Sequence, residues 1–379
     1  METHKVVIIS CLLLLCISNG VSAADCPSKT MKGAYYPSWR SSVFPPSSID
    51  SSFFTHIYYA FLSPNPTTFA FEIDNSTAPI LSSFNSVLHA KKPQLKTLFS
   101  VGGGAGGSTL YANMASTPES RRSFILSSIQ VARTYGFDGI DLDWEFPQNP
   151  KEMNDLGTLF DEWRAEIVKE SRQTRRPQLL LSAAVYFSAT FFLSDTVRTY
   201  PVASINKNLD WVNAMCYDYH GSWEPKITGA QSALFDPKSN ISTSYGLRSW
   251  IKAGIWRNKL VMGLPLYGRT WTLADPNVSG VGAPAVGLGP AGSTGDAGIL
   301  LFYEVEEFNR KNNAKIGFDL ATMSTYSVAG TSWIGYDDAR STTARIDFAQ
   351  GLGIRGYFFW AMSYDDQKWT ISKTASRRW

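Results

Sequence analysis

The residues with the clearest chemical potential are four acids within eight positions, 138–145, which read DGIDLDWE. Alternate side chains of a β-strand point to the same side, so Asp141, Asp143 and Glu145 would share one face and the apolar residues between them the other. Carboxyl groups roughly 6.5–7 Å apart along a strand repel one another and lose water, which raises the pKa of at least one. A carboxyl group that keeps its proton near neutral pH can act as a general acid.

Two other interpretations of this segment are a solvated surface strand and a metal site. A surface strand would not place Ile140, Leu142 and Trp144 together on its second face. The histidines beyond the N-terminal segment are His56, His89 and His220, and none has the spacing of a metal ligand. We therefore predict acid–base catalysis with no metal and no cofactor.

The elements that must position these acids recur along the chain as eight apolar, β-branched or aromatic runs, at residues 31–39, 56–62, 94–101, 136–144, 179–186, 209–217, 260–267 and 354–360. Most are separated by helix-compatible stretches such as 118–135 and 152–173. Strands that alternate with helices form parallel sheets, and eight such units in one domain predict an α/β fold, the closed (β/α)₈ TIM barrel. Catalytic groups of this fold lie at the C-terminal ends of the strands.

One connection is too long for a simple loop. Residues 278–298 are rich in Gly and Pro, and a helical pattern at 303–312 and short strand candidates follow before the last helix at 338–351. We predict a small α+β insertion after the seventh strand, at about residues 269–335.

The N-terminus has the features of a secretory signal. Lys5 precedes an apolar run at 6–17, and small residues follow at 22–24, so we predict a signal peptide at 1–24 and a catalytic domain at 25–379 in a secreted, extracellular (apoplastic) protein. Removal of Cys11 and Cys16 would leave Cys26 and Cys216, which could form a disulfide, although we expect Cys216 to be a buried thiol in a strand. Glycosylation sequons begin at Asn75, Asn240 and Asn277.

Composition restricts the class of partner. Lys and Arg number 35 against 32 Asp and Glu, a net charge of +3, which provides no field for nucleic acid or an anionic membrane. Twelve Trp and seventeen Tyr suit a neutral, hydroxyl-rich ligand such as a sugar, although many of these rings must fill the core. We predict binding to neither nucleic acid nor membrane, and a monomer.

The acidic segment resembles the Asp-Gly-x-Asp-x-Asp-x-Glu signature of the family 18 glycoside hydrolases, and the chain beyond the signal resembles the plant class V chitinases. Four further segments agree in order: Ser100-Val101-Gly102-Gly103, Met215-Cys216-Tyr217-Asp218, Gly263-Leu264-Pro265-Leu266-Tyr267-Gly268-Arg269 and Phe358-Phe359-Trp360.

The resemblance implies an endo-type chitinase that cleaves β-1,4-linked N-acetylglucosamine with retained configuration, by attack of the substrate's own acetamide oxygen. It implies that Glu145 is the acid and base, that Asp143 holds the acetamide N–H, and that Asp141 controls the protonation of Asp143. Tyr217 would donate a hydrogen bond to the acetamide oxygen. Its substrate would be chitin or chitooligosaccharides.

The resemblance also implies a set of substrate-binding residues: Tyr35, Phe61, Ser100, Tyr186, Met215, Asp218, Tyr267, Arg269 and Trp360. Tyr35 and Ser100 would act through the aspartates, and Trp360 would form the floor of the cleft. Each has a structural alternative in the core or a loop. Asp218 has the wrong strand parity for the lumen, so its contact with sugar requires the strand to end before it.

Two alternatives to a chitinase stay open. The same fold can serve a chitin-binding lectin, which is expected to lack the terminal acid. Relatives of the class V chitinases act on lipo-chitooligosaccharide (Nod factor) signals, and the loop around residues 290–293 would decide whether an acyl chain can bind.

Overall fold

The structure is a computed structural model that describes residues 30–379. The predicted signal peptide and Cys26 lie outside the described residues. The strands, in chain order, are β1 Met31–Pro37, β2 His56–Leu62, β3 Lys96–Gly102, β4 Gly139–Asp143, β5 Leu180–Tyr186, β6 Thr190–Leu193, β7 Thr196–Thr199, β8 Trp211–Met215, β9 Leu260–Pro265, β10 Tyr267–Leu273, β11 Ala285–Leu288, β12 Ile299–Leu301, β13 Lys315–Asp319, β14 Ser324–Ala329, β15 Ser332–Tyr336 and β16 Gly356–Trp360.

Eight of these strands close into a parallel barrel in the order β1-β16-β9-β8-β5-β4-β3-β2. They coincide with the eight runs seen in the sequence, which confirms the (β/α)₈ prediction. The first and last barrel strands pair directly, with Met31 opposite Gly356. Both ends of the domain are therefore needed to complete the sheet.

Helices cover the outside of the barrel, except for Phe302–Asn312, which packs against the insertion. They are α1 Thr77–His89, α2 Ser108–Ser116, α3 Pro118–Tyr135, α4 Pro150–Thr174, α5 Val202–Asn208, α6 Thr243–Lys252, α7 Phe302–Asn312, α8 Ala339–Leu352 and α9 Thr370–Arg378. None of the helices in residues 30–379 is long and apolar enough to cross a membrane.

The β/α alternation is not strict, which corrects the sequence prediction at one connection. Within the described residues, β1 and β2 are joined only by three short 3₁₀-helices, Ser38–Arg40, Pro46–Ser48 and Ser51–Phe53. Pro37, Pro45 and Pro46 lack the backbone N–H that a continuous α-helix would need here. The segment instead lies beside the mouth of the barrel, where it places Trp39 and Arg40.

The α+β insertion follows the seventh barrel strand, as predicted. Strands β10–β15 form an antiparallel sheet in the order β11-β10-β15-β14-β13, with β12 paired to β10, and α7 packs against it. A buried ion pair joins this insertion to the barrel. Arg345 of α8 contacts Asp337 at 2.8 Å and donates to the backbone oxygen of Met323 beside β14 and to that of Ser232 in the β8–α6 connection.

The interior of the barrel is filled from its N-terminal end. Met31, Tyr58, Leu98, Trp211 and Phe358 point inward from five different strands and are fully buried. Because these side chains close the lumen, a ligand can approach only from the C-terminal ends of the strands.

Candidate active site

The acids of the 138–145 segment lie where the sequence predicted, at the C-terminal end of a barrel strand. Strand β4 contributes Asp141 and Asp143 and then ends, so Glu145 lies two residues beyond it rather than within a longer strand. Gly102, at φ +121°, packs against this end of the strand. A Cβ at this position would be 2.0 Å from the carbonyl oxygen of Asp143, so only glycine fits there.

Asp141 is fully buried and held by three hydroxyl groups. Its Oδ2 accepts hydrogen bonds from Tyr35 Oη at 2.8 Å and Ser100 Oγ at 2.7 Å, and its Oδ1 accepts one from Ser182 Oγ at 2.7 Å. Burial raises the pKa of Asp141, while the three hydrogen bonds oppose that rise. Its surroundings fix this carboxyl group and separate it from solvent.

Asp143 is the least satisfied of the three acids. It is 4% exposed, and its Oδ1 has no hydrogen-bond partner within residues 30–379. Burial, followed by the charges of Glu145 and Asp141, raises the pKa of Asp143 well above its ordinary value. An unpaired buried oxygen is costly, so the site favours a ligand that donates a hydrogen bond to it.

Glu145 lines the cleft and has a carboxyl group suited to proton transfer. Burial, followed by the negative charge of Asp218, raises its pKa to about 7, and a hydrogen bond from the backbone N–H of Gly104 opposes this. The group is therefore protonated in a large fraction of molecules at neutral pH, as a general acid requires.

These acids open into a cleft at the mouth of the barrel. A cavity of about 480 Å³ is lined by Trp39, Phe61, Gly102, Gly104, Ala105, Asp143, Glu145, Met215, Tyr217, Asp218 and Trp360. A second cavity of about 550 Å³ shares Trp39, Asp218 and Trp360 with the first and extends to Ser293, Thr294 and Asp296 of the insertion. The two adjoining volumes suit a chain of sugars better than a single small ligand.

Strand β8 delivers Met215 and Tyr217 to the same cavity, and its early end corrects one expectation. Cys216 does not lie in the strand. Strand β8 ends at Met215, and the backbone N–H of Cys216 donates to the carbonyl oxygen of Ala214, two residues earlier. Within residues 30–379 Cys216 is a buried free thiol, and burial raises its pKa to about 12. The end of the strand is also what lets Asp218, at φ 57°, turn into the cleft.

Tyr267 and Arg269 reach the second cavity from β10. Arg269 donates to Asp218 at 2.6 and 2.9 Å. Its guanidinium also lies over the rings of Trp223, at 5.2 Å, and Tyr267, at 5.8 Å. Asp218 is thus fixed in place beside Glu145 by a cation that is itself held by two aromatic rings.

Aromatic rings form the floor and one edge of the cleft. Trp360 lies at the end of β16 and stacks with Phe61, with ring centroids 5.7 Å apart. Trp39 stacks with the same Phe61 at 6.3 Å and leaves 57% of its surface exposed. Sequence reasoning missed Trp39, because its segment was assigned to the strand rather than to the loop that follows it.

Two of the predicted substrate-binding residues act through an aspartate, as the resemblance implied, and one, Tyr186, does not line either cavity of the cleft. Tyr35 and Ser100 are buried beneath it and contact Asp141, so they reach a ligand only through that carboxyl group. Tyr186 is half-buried and packs on Phe146 and Phe191, with ring centroids at 5.2 and 4.2 Å. Tyr186 is thus packed against residues that follow β4 and β5 in the chain, and the sequence pattern does not show these contacts.

Among the described residues, no group of three or more His, Cys, Asp and Glu side chains is arranged to hold a metal ion. A cavity of about 860 Å³, larger than either cavity of the cleft, lies between residues 40–48, α7 and residues 362–369 and contains none of the acids of β4. We assign the active site to the smaller cleft because the unpaired and proton-retaining carboxyl groups lie there.

Comparison with known proteins agrees with this site. Residues 32–365 match the family described as glycosyl hydrolases family 18. The chain belongs to family 18 of the glycoside hydrolases. "Nod factor hydrolase protein 1" from Medicago truncatula is 52% identical over 353 residues, which cover 92% of this chain and 90% of that protein.

Two solved structures show how the family 18 fold is used elsewhere. A mutant class V chitinase from Nicotiana tobaccum in complex with NAG4 has a TM-score of 0.87 and 38% identity, covering 93% of this chain and 99% of that one. A chitinase-like agglutinin from Robinia pseudoacacia has a TM-score of 0.82 and 39% identity, covering 92% and 99%. The family fold therefore occurs in proteins named as hydrolases and in one named as an agglutinin, so the side chains of the site must distinguish them.

Proposed function

We propose that this family 18 hydrolase cleaves β-1,4-linked N-acetylglucosamine chains internally, with retention of configuration. The observation that carries the proposal is a pair of acids in the cleft: Glu145, whose pKa is raised to about 7, and Asp143, whose buried Oδ1 has no hydrogen-bond partner among the described residues. An acid for the leaving oxygen and an acceptor for an acetamide N–H are what substrate-assisted cleavage needs.

In the first step Glu145 donates its proton to the glycosidic oxygen as the bond from that oxygen to the anomeric carbon breaks. The acetamide oxygen of the same sugar forms a bond to the anomeric carbon, giving an oxazolinium ion, and Asp143 accepts the acetamide N–H. Tyr217 donates to the acetamide oxygen and orients it. A water then gives one proton to Glu145 and attacks the anomeric carbon, and the bond from that carbon to the acetamide oxygen breaks, which restores the acetamide and the original configuration.

The aromatic floor supports a neutral, multi-sugar substrate. Trp360, Phe61 and Trp39 offer apolar faces on which pyranose rings can stack, and the cleft spans two adjoining cavities. We propose chitin or chitooligosaccharides as the substrate and a monomer as the working form.

The direct test is release of reducing ends from chitohexaose by the wild type and by Glu145→Gln. The wild type should release products in the anomeric configuration of the substrate, seen by NMR within the first turnovers, and Glu145→Gln should lose about 10²- to 10⁴-fold in kcat. Glu119→Gln, the same change at an exposed residue of α3, is the control and should retain full activity. Binding of chitohexaose without release of reducing ends by the wild type would favour a lectin.

We also propose export of the protein, on the strength of the apolar run at residues 6–17 and the small residues at 22–24. N-terminal sequencing of the protein recovered outside a plant cell should begin near Ala24. An intact Met1 would contradict the proposal.

A second candidate substrate is a lipo-chitooligosaccharide. The Medicago truncatula relative named as a Nod factor hydrolase favours it, and the insertion loop that would meet an acyl chain forms a wall of the cleft. That loop is anchored: Ser293 N–H donates to Glu304 at 2.8 Å, and Thr270 Oγ1 donates to the oxygen of Pro290 at 2.8 Å. Replacing residues 290–293 should change the ratio of rates on acylated and plain oligomers, and an unchanged ratio would remove the loop from this role.

A further inference from the structure

Asp141 is bracketed by two serines on neighbouring strands. In the register of the barrel, Ser100 of β3 lies opposite Asp141 on one side and Ser182 of β5 lies opposite it on the other. Both serines are fully buried, and both donate to the Asp141 carboxyl group at 2.7 Å. They therefore look equivalent by distance, burial and position.

The two oxygens of Asp141 are nevertheless supplied unequally. Oδ2 receives two hydrogen bonds, from Ser100 and from Tyr35. Oδ1 receives one from the described part of the chain, and its donor is Ser182. If Ser100 were lost, Oδ2 of Asp141 would still accept a hydrogen bond from Tyr35. If Ser182 were lost, Oδ1 would have no donor from the described residues and could take a proton.

The donor on Oδ2 cannot easily turn away, because a chain of hydrogen bonds fixes its direction. Trp211 Nε1, which can only donate, bonds to Tyr58 Oη at 2.7 Å, and Tyr58 Oη lies 3.4 Å from Asn213 Oδ1. Asn213 Nδ2 donates to Tyr35 Oη at 3.2 Å. Since the oxygen of Tyr35 accepts there, its own proton is directed to Asp141.

We propose that Ser182 is a positioning residue that keeps Asp141 as the anion of the Asp141–Asp143 pair, by supplying the hydrogen bond to Oδ1. With that oxygen occupied, the first proton taken up by these two acids resides on Asp143, which lines the cleft. This inference rests on the proposed function for its kinetic consequence, but not for its effect on ionisation.

The kinetic test compares Ser182→Ala with the matched variant Ser100→Ala. The acidic limb of the profile of kcat against pH reports the second proton taken up by Asp141 and Asp143. Loss of one hydrogen bond to a charged group moves this limb to higher pH by about one to two pH units. We expect that shift in Ser182→Ala, less than half of it in Ser100→Ala, and no change in the basic limb of either. Ser182→Thr, which restores a hydroxyl group, should return the acidic limb toward the wild type.

A second measurement does not depend on turnover. A residue that stabilises an anion matters only while that anion exists, so the loss of unfolding free energy in Ser182→Ala should be larger at pH 7 than at pH 4. The loss in Ser100→Ala should change less between the two pH values. Denaturant unfolding at both pH values gives these differences.

The outcomes separate this inference from the proposed function. Equal shifts in both alanine variants, or none in either while the wild type cleaves chitohexaose, would overturn the role of Ser182 and leave the hydrolase intact. If the wild type does not cleave chitohexaose, the proposed function fails, and the unfolding measurement alone decides whether Ser182 holds the anion.

Discussion

At the scale of single residues, the raised pKa of Glu145 is also a statement about stability. Its ordinary value is 4.5 and its value in the folded protein is about 7. Between those pH values the unfolded chain releases this proton while the folded protein keeps it, so unfolding is favoured as the pH rises. The site therefore lowers the free energy of unfolding above pH 7, and the effect vanishes below about pH 4.5.

We predict that Glu145→Gln stabilises the protein at pH 8. About 2.5 pH units at about 1.36 kcal/mol each set an upper limit near 3 kcal/mol, and we expect roughly half of it because the carboxyl group is partly exposed. At pH 4.5 the two proteins should unfold alike. Denaturant unfolding at both pH values checks this, with Glu119→Gln as the control, and a variant no more stable than the wild type at pH 8 would contradict it.

Asp218 supplies part of the same effect and can be separated from it. Removing its charge in Asp218→Asn removes a repulsion that disfavours ionised Glu145, so the pKa of Glu145 should fall. We predict that the basic limb of the kcat profile moves to lower pH by about half a unit to one unit. Activity on chitohexaose from pH 5 to 9 measures the limb.

The control for this prediction is Asp296→Asn, which removes a charge from the insertion side of the cleft, where Asp296 lines the second cavity. Its basic limb should stay within about 0.2 pH units of the wild type. If the basic limb moved equally in both variants, the shift would come from the total charge of the cleft and not from Asp218 itself.

Some of the residues of the site could be predicted from the sequence, and others could not. Period-2 alternation placed Asp141, Asp143 and Glu145 on one face, because that pattern is local. Ser182 and Asn213 carry no such signal, since each is a lone polar residue in an apolar run. The contact of Ser182 with Asp141 depends on the register between neighbouring strands, and that of Asn213 with Tyr35 depends on which side chains meet across the lumen.

At the scale of elements, local signals predicted helices better than strand ends. Helix α3 begins after Thr117, which caps it, has Pro118 in its first turn and ends before Gly136 in the left-handed conformation. Its predicted bounds, 118–135, match. Strands β4 and β8 end earlier than their apolar runs, because a strand ends where its pairing with neighbours stops, and that information is not local.

The buried pair of Arg345 and Asp337 carries a prediction about how the insertion is held. Both side chains are at most 2% exposed, and Arg345 also bonds to Ser232 and Met323. Arg345→Met would leave the carboxyl group of Asp337 buried without its cation. We predict a loss of about 3–5 kcal/mol in unfolding free energy, measured by denaturant unfolding.

The matched control is Arg378→Met, which breaks an exposed Arg–Asp pair with Asp347. That variant should unfold like the wild type, because an exposed ion pair gains little from its charges in water. A loss in Arg345→Met no larger than in Arg378→Met would show that the insertion is held by its apolar contacts instead.

At the scale of the whole molecule, the barrel and its insertion could be predicted, but the shape of the cleft could not. Eight apolar runs and one oversized connection are properties of the sequence order. The cleft is formed by side chains as distant along the chain as Trp39, Ser293 and Trp360. Their convergence follows from the closure of the barrel by β1 and β16, which brings both ends of the domain to the same mouth.

This arrangement predicts a dependence on substrate length that resides in Trp39. Its exposed ring lies at the edge shared by both cavities, so we expect it to stack on a sugar that extends beyond the one held by Asp143 and Tyr217. Stacking contributes about 0.5–1.5 kcal/mol, so Trp39→Ala should lower kcat/KM on chitohexaose roughly 2- to 10-fold and affect the shortest cleaved oligomer much less. Trp256, also 57% exposed but located before β9 at the opposite end of the barrel, provides the control. Trp256→Ala should leave both rates unchanged, and an equal loss on long and short oligomers in Trp39→Ala would place that ring against the reacting sugar instead.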